Sequence, residues 1–352
     1  MGRFNYQVID ADGHGGEFAN WQETVGEKWM PTLAAYREKI KKHYSRLPIP
    51  GGGQSRPGDK FDIRPGMNDP QKRLEDLDLE GIDMTITFPG GAGEEWAMLD
   101  PQFSLALCQA VNNSKAAFSK QCNGRVFGVA KLPMIDPPTA AKELRRAITE
   151  LGLKGMVCTQ HVRDKNLDHP DFDVVWAEAE RLNIPVCVHG GGQAPDQYPV
   201  CVDRFNTRLE VHAITHPVGN MIALDSFCVG GIFERFPKLR VAFMESGCGW
   251  LPFWLWRLDE HYEKMPEQAP NIRRKPSEYF HSNCWISCDP DEKMIPEVVK
   301  LCGDERILYA SDYYHWDCAF PETVKFIVDR NDLSEATKQR ILGGNAKKFF
   351  AL

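Results

Sequence analysis

The chain has 352 residues, 42% hydrophobic and 26% charged, with a formal net charge of −7. That balance belongs to a soluble globular protein, and an acidic pI of about 5.8 excludes the basic footprint of a nucleic-acid binder. Mean hydropathy is −0.41, and no apolar run approaches the ~20 residues of a membrane helix. The opening residues carry no basic segment followed by an apolar one, so no secretory signal is expected. Eleven cysteines are scattered without a C-x-x-C pair. Several, such as Cys158 and Cys187, sit in apolar runs as reduced core thiols do, which predicts a cytoplasmic location.

Eight short runs rich in Val, Ile, Phe or Cys recur along the chain: Tyr6–Asp12, Met84–Pro89, Val126–Pro133, Gly155–His161, Pro185–His189, Val241–Ser246, Cys284–Asp289 and Ile307–Asp312. Their continuous apolar character is that of strands buried on both faces. Helical patterns lie between them, as in Pro138–Leu151, Asp171–Leu182 and Asp291–Leu301. Strand then helix, eight times over, predicts an α/β protein with a parallel sheet. Eight strands in one chain favour a closed (β/α)8 TIM barrel over an open doubly wound sheet. Two connections exceed a barrel turn. One, about residues 15–69, contains the Gly/Pro-rich tract PIPGGGQSRPGDKFDIRPG and reads as a lid or interface insertion. The other follows strand five, from Gly190 to about Lys238. Neither has the composition of a linker between independent cores, so residues 1–352 are expected to form a single domain.

The C-terminal ends of barrel strands converge on one mouth. Strand one ends in Asp10-Ala11-Asp12-Gly13-His14, and the period of two puts Asp12 and His14 on one face. Strand four ends at His161, strand five at His189, strand six at Glu245-Ser246 and strand eight at Asp312, with His315 just beyond. A lone strand-end histidine is more often a hydrogen-bonded structural residue than a ligand, and a strand-end aspartate is often a helix cap. The joint pattern is what points to a metal, because several buried carboxylates together are costly without a cation. Mixed imidazole and carboxylate donors suit Zn, Mn or Fe, and the carboxylate share favours Fe or Mn.

Other motifs carry less. His189-Gly190-Gly191-Gly192 looks like an esterase oxyanion loop, but no G-x-S-x-G elbow follows. Gly90-Gly91-Ala92-Gly93 lacks the Lys-Ser/Thr of a P-loop. Ser246-Gly247-Cys248-Gly249-Trp250 stands in the wrong order for a thiol protease. Trp250, Phe253, Trp254 and Trp256 are spaced like a helix face for core or subunit contact. His212 and His216, four apart, could share a helix face as metal ligands, substrate contacts or an ordinary polar face.

At VIDADGH, HPDFDVVWAEAERLNIPVCVH, GGIFERFPKLRVAFMESGCGWLPFWLWRLDEHYEK, LYASDYYHWD and ILGGNAKKFF the chain resembles the amidohydrolase superfamily. Within it, the resemblance is to the branch of aminocarboxymuconate semialdehyde and resorcylate-type decarboxylases, in block order and over nearly the whole chain. It implies a distorted (β/α)8 barrel. In that branch strand one usually carries His-x-His or Glu-x-His, and here Asp12 and His14 take those places. The strand-five histidine maps onto His189 and the strand-eight aspartate onto Asp312. The strand-six histidine falls at or next to Ser246, where no imidazole exists and Glu245 is the nearest donor.

The resemblance implies two reaction classes. The first is a lyase or hydrolase with one divalent metal, acting on a small carboxylated substrate. Its metal set would be drawn from Asp12, His14, His161, His189, Glu245 and Asp312. Asp312 would be ligand or general base, and His216 or His315 proton shuttle or substrate contact. The second is a dinuclear iron or manganese monooxygenase, similar to the amidohydrolase-fold hydroxylase of 2-aminoisobutyrate built from two related subunits, with His161 completing a two-metal set. A degenerate structural metal centre in a regulatory subunit is a third reading. A homo- or hetero-oligomer is expected, with no nucleic-acid or membrane partner.

Overall fold

The structure, a computed structural model, describes residues 4–46, 64–89, 100–190, 204–205, 207–315 and 317–352. Eight strand positions follow one another in chain order: β1 (Ile9–His14), β2 (Met84–Phe88), β3 in two pieces (Val126–Gly128 and Ala130–Lys131), β4 (Met156–Cys158), β5 (Pro185–Val188), β6 (Arg240–Phe243), β7 (Cys284–Cys288) and β8 (Ile307–Tyr309). Each pairs parallel with the next. At Val129, between the pieces of β3, the N–H donates to Thr87 O of β2 at 3.2 Å, and Ala130 N–H to Gly155 O at 2.8 Å. The ring closes where Asp312 N–H donates to Asp12 O at 2.9 Å and Gly13 bridges Tyr313 in parallel. The expected barrel is therefore present, with every apolar run of the sequence supplying one strand.

The helices alternate with the strands: α1 (Met30–Arg46), α2 (Pro70–Glu80), α3 (Pro101–Lys120), α4 (Pro137–Thr149), α5 (Asp173–Arg181), α6 (Arg208–Cys228), α7 (Ile232–Arg235), α8 (Leu251–Lys264), α9 (Pro276–Asn283) and α10 (Ile295–Cys302). Three start on Asp-Pro: Asp69, Asp100 and Asp136 each accept backbone N–H groups of the first turn, and the proline that follows needs no N–H partner there. The helix expected over Asp291–Leu301 begins later, at Ile295 with Pro296 in its first turn, because Glu292 instead accepts from Cys248 and Gly249 N–H. Much of the long connection after β5 is α6 itself, a 21-residue helix with a Thr207/Glu210 capping box. The central part of the 15–69 insertion, Gly90–Gly93 and Gly191–Gly192 lie outside the described residues.

Ile9, Ala11, Ile86, Val157, Cys187, Ala242, Trp285 and Leu308 fill the barrel, and Phe349 and Phe350 of the last helix plug one end. A second cluster, with Val186, Val241, Phe243 and Ile286 from the strands and Leu144, Trp176 and Phe227 from the helices, packs between the two layers. Of the aromatic stretch, Trp254 is anchored through Nε1 to Met221 O at 3.0 Å, while Phe253 and Trp256 are exposed. The ten described cysteines are free thiols, and no helix among the described residues is long and apolar enough to cross a membrane.

Candidate metal centre and active site

Alternation along β1 puts Ile9 and Ala11 inside the barrel, which would aim Asp12 and His14 outward. A bulge reverses this. Asp10 pairs with Thr85 but Gly13 with Thr87, so three steps on β1 oppose two on β2. The extra residue turns Asp12 and His14 to the inner face. Gly13 is needed here, since a Cβ would lie 2.6 Å from both Arg73 Nη2 and Thr85 Oγ1. Asp10 is left outward and buried beneath the site. Its Oδ1 accepts from Ser311 N–H at 2.8 Å and Asp12 N–H at 3.2 Å, and its Oδ2 from Thr85 Oγ1 at 2.7 Å and Ser311 Oγ at 2.8 Å. Beside it Arg73, fully buried, donates to His14 O at 3.0 Å and lies over the Tyr313 ring.

Glu245 and Asp312 follow β6 and β8 with φ of 50° and 52°. Non-glycine residues in the left-handed region are uncommon and cluster at functional sites. Both side chains turn into the mouth. His14 Nε2 is 2.9 Å from Asp312 Oδ1 and 3.9 Å from Asp12 Oδ1, and His189 Nε2 is 3.3 Å from Asp12 Oδ1. These four side chains each present buried atoms without a hydrogen bond: both oxygens of Asp12, Nε2 of His14, Nε2 of His189 and Oδ1 of Asp312. Donors about 2.1 Å from a common ion lie ~3–4 Å apart; Asp12, His14 and His189 form one compact set that could hold a divalent cation, and His14, Glu245, Asp312 and His315 form another. His189 supports the fit, because its Nδ1 donates to Gly190 O at 2.7 Å and Nε2 is left as the ligating atom.

His315 stacks on His14 with ring centroids 3.8 Å apart, and its Nδ1 is 2.8 Å from Asp312 Oδ1 and 3.4 Å from Glu245 Oε1. His189 Nδ1 is 3.1 Å from Glu245 Oε2, and His216 Nε2, on α6, is 4.0 Å from the same oxygen. Burial pulls the His189 pKa down, but Asp12 and Glu245 outweigh it and lift the value to about 10. His315 is also driven well above the ordinary histidine range against burial, chiefly by Asp312. Burial dominates at His216 and lowers it. A cavity of about 380 Å³ opens above these groups, lined by His212, His216, Glu245, Asp312, Asp289 and Asp317 among others.

The structure thus brings together Asp12, His14, His189, Glu245, Asp312, His315 and His216. It does not bring His161 to them. His161 opens a short antiparallel hairpin, its Nδ1 donates to Arg163 O at 2.8 Å, and it lines a separate cavity of about 810 Å³. Among the described residues no grouping of three or more candidate ligands contains it. The reason is that β4 ends at Cys158 and the chain turns away over Thr159–Gln160, so His161 is past the strand end. Asp289 and Asp317 went unread in the sequence as site residues. Asp289 directly follows β7, and the strand-end rule applied there would have found it. Burial and then Glu292, Asp312, Asp291 and Asp317 push its carboxyl up to about 7.

A parallel (β/α)8 barrel whose mouth gathers carboxylates and imidazoles at the ends of β1, β5, β6 and β8 is a barrel of the amidohydrolase type with a candidate metal centre. The Amidohydrolase family model matches residues 9–352, and this chain belongs to that family. It is similar to 2-amino-3-carboxymuconate-6-semialdehyde decarboxylase from Dictyostelium discoideum, 31% identical over 292 residues, 81% of this chain and 77% of that one. It is also similar to gamma-resorcylate decarboxylase from Rhizobium sp. (strain MTP-10005), 24% identical over 300 residues, 80% and 86% of the two chains. Among solved structures, 5-carboxyvanillate decarboxylase from Sphingomonas paucimobilis superposes with a TM-score of 0.76 at 24% identity, covering 99% of this chain and 100% of that one. The corresponding enzyme from Novosphingobium aromaticivorans, complexed with manganese and 4-hydroxy-3-methoxy-5-nitrobenzoic acid, gives 0.76 at 21% identity over 99% and 97%. These relatives are carboxy-lyases.

Proposed function

We propose that this chain is a metal-dependent carboxy-lyase that releases CO2 from a small carboxylated substrate held in the cavity above Asp312 and Glu245. Buried, hydrogen-bond-free donor atoms gathered on Asp12, His14 and His189, with Asp312 Oδ1 2.9 Å from His14 Nε2, carry the reading, within a family whose relatives include several decarboxylases. Those four side chains would hold a divalent ion, manganese being the metal of one structural neighbour and iron or zinc also suiting such donors. When bound, the ion supplies Lewis-acid stabilisation of negative charge on substrate oxygens.

The protein's own residues do the rest. When the C–C bond breaks, the electron pair stays on carbon and a proton must replace the departing carboxyl. His315, whose Nδ1 lies beside Asp312 and Glu245 at the mouth, is the side chain placed to deliver that proton. His216, whose pKa burial lowers, lines the cavity and would contact substrate. The free thiols and the exposed Phe253 and Trp256 support a cytoplasmic protein that assembles with a second copy or a related chain.

The test is CO2 release from a panel of hydroxybenzoates and aminomuconate-type carboxylates by manganese-loaded protein. Turnover of at least one, abolished in Asp312→Asn, supports the reading. Metal-loaded, folded protein that releases CO2 from none of them overturns it. A second reading, an oxygen-activating dinuclear iron or manganese hydroxylase, is favoured by the grouping of His212, His216 and Glu245 beside the first set. It predicts O2 consumption by the reduced, metal-loaded protein, with hydroxylated product and no CO2.

A further inference from the structure

Glu245 keeps a left-handed backbone (φ 50°) just past β6, a conformation that persists in a non-glycine residue only where its surroundings over-determine it. Polar groups on both sides of it supply that restraint. Its own N–H donates to Ser287 Oγ of β7 at 3.1 Å. Asn220, fully buried on α6, donates from Nδ2 to Met244 O and to Ser246 Oγ, both at 2.8 Å. One side-chain amide therefore holds the residue before Glu245 and the residue after it. Beyond them, Glu292 accepts from Cys248 and Gly249 N–H.

The same amide is tied to His216, one turn earlier on α6. Gln160, buried in the irregular chain after β4, donates from Nε2 to Asn220 Oδ1 at 3.3 Å and to His216 O at 3.1 Å. Backbone carbonyls stand at both ends of this chain of amides and can only accept. The direction of every bond is thereby fixed, and both NH2 groups are fully used. The helix makes room for Gln160 at Gly219, where a Cβ would stand 2.4 Å from Gln160 Oε1. The His216 ring is confined as well: its Nδ1 donates to His212 O at 3.1 Å, and a Cβ on Gly190 would meet its Cδ2 at 2.3 Å. His216 Nε2 and Glu245 Oε2 consequently face each other at 4.0 Å in the cavity wall. Asn220 and Gln160 are not among the described lining residues, so they act on the cavity through the residues they hold.

We propose that Asn220, oriented by Gln160, is a positioning residue that sets Glu245 and His216 against the substrate, which rests on reading this cavity as the carboxy-lyase site. Crystal structures of the manganese-loaded full chain and of Asn220→Ala are compared first. The variant is expected to shift Glu245 and His216 relative to each other by about 1 Å, a misplacement that can cost about 100-fold in rate. Its kcat for CO2 release should fall about 10–100-fold, while equilibrium dialysis still finds Mn(II) held by Asp12, His14 and His189. Gln160→Met, uncharged and of similar length, leaves the bonds to Met244 and Ser246 and frees only His216 O. It should raise KM with kcat unchanged, and it takes the place of the alanine variant in the crystal comparison if that variant does not fold. A merely structural role predicts lower urea stability with Glu245, His216, kcat and KM all unmoved, and that outcome overturns the proposal. Displaced side chains with unchanged kcat and KM overturn it too. The crystal comparison needs no substrate, so an unmodified chain that releases no CO2 refutes the carboxy-lyase reading alone. Unmoved Glu245 and His216 in an active variant refute the positioning role alone.

Discussion

Asp10 is the hinge between the barrel closure and the metal centre, and its two oxygens have different jobs. Oδ1 takes two backbone N–H groups, Ser311 and Asp12, which have no choice of role. Oδ2 takes two hydroxyls, Thr85 and Ser311, which can rotate to accept instead of donate. Asp10→Ala leaves both N–H groups buried without a partner and withdraws the carboxylate that faces the buried Arg73. Each buried N–H left without its acceptor costs about 1–3 kcal/mol, so the two together cost about 2–6 kcal/mol. The alanine variant is therefore expected to lose that much in urea denaturation, a large part of the ~5–15 kcal/mol of a typical protein. It should also weaken Mn(II) binding about 10–100-fold, since Asp12 and Asp312 lose the support that aims them. Asp10→Asn keeps the Oδ1 role and can donate from Nδ2 to the two hydroxyls, so it should lose less than half as much and keep most of its Mn(II) affinity. If asparagine proves as damaging as alanine, the division of labour between the two oxygens is wrong and bare charge is what matters.

Gly190→Ala would place a Cβ 2.3 Å from His216 Cδ2, displacing that ring. Mn(II) binding by Asp12, His14 and His189 should survive while CO2 release falls, and equal loss of both would argue against a substrate-contacting role for His216. Lys115 is fully buried and donates to Gly15 O, Glu17 Oε2 and Thr87 Oγ1, just past the end of β1. Lys115→Met strands the buried Glu17 carboxylate and should cost about 3–5 kcal/mol in urea, while a loss under 1 kcal/mol would refute the pairing. Arg181 and Arg145 hold the Glu178 carboxylate down at about 2. Its folded value lies below the ordinary carboxylate range, so its stabilisation is complete above about pH 4.5 and lost as pH falls toward 2. Both arginines are largely exposed, which limits the contribution to about 1 kcal/mol. Glu178→Gln should lower stability at pH 7 by that amount and flatten the acid limb of the stability curve; an unchanged acid limb refutes it.

All eight strands and the rim on which the site stands were legible because buried parallel strands are written as continuous apolar runs, with a chemically distinct residue at each end. His14, His189 and Asp312 could be named from position alone on that basis. Three features could not be read, and each has a local physical cause. The bulge at Asp10–Gly13 changes which face Asp12 and His14 occupy, and period-two counting gave the right companions for an incomplete reason. The left-handed backbone at Glu245 and Asp312 re-aims both carboxylates, yet nothing in either residue type announces it. At the end of β4, two residues of irregular chain separate Cys158 from His161, enough to carry the imidazole out of the mouth, whereas His189 follows Val188 directly and remains in it. The site is thus most predictable where a donor is the first residue past a strand and least where the backbone departs from extended geometry before reaching it. By that criterion the pair on α6 is intermediate. Helical spacing alone places His212 and His216 on one face, and only the packing of that helix over β5 and β6 decides that the face looks at Glu245.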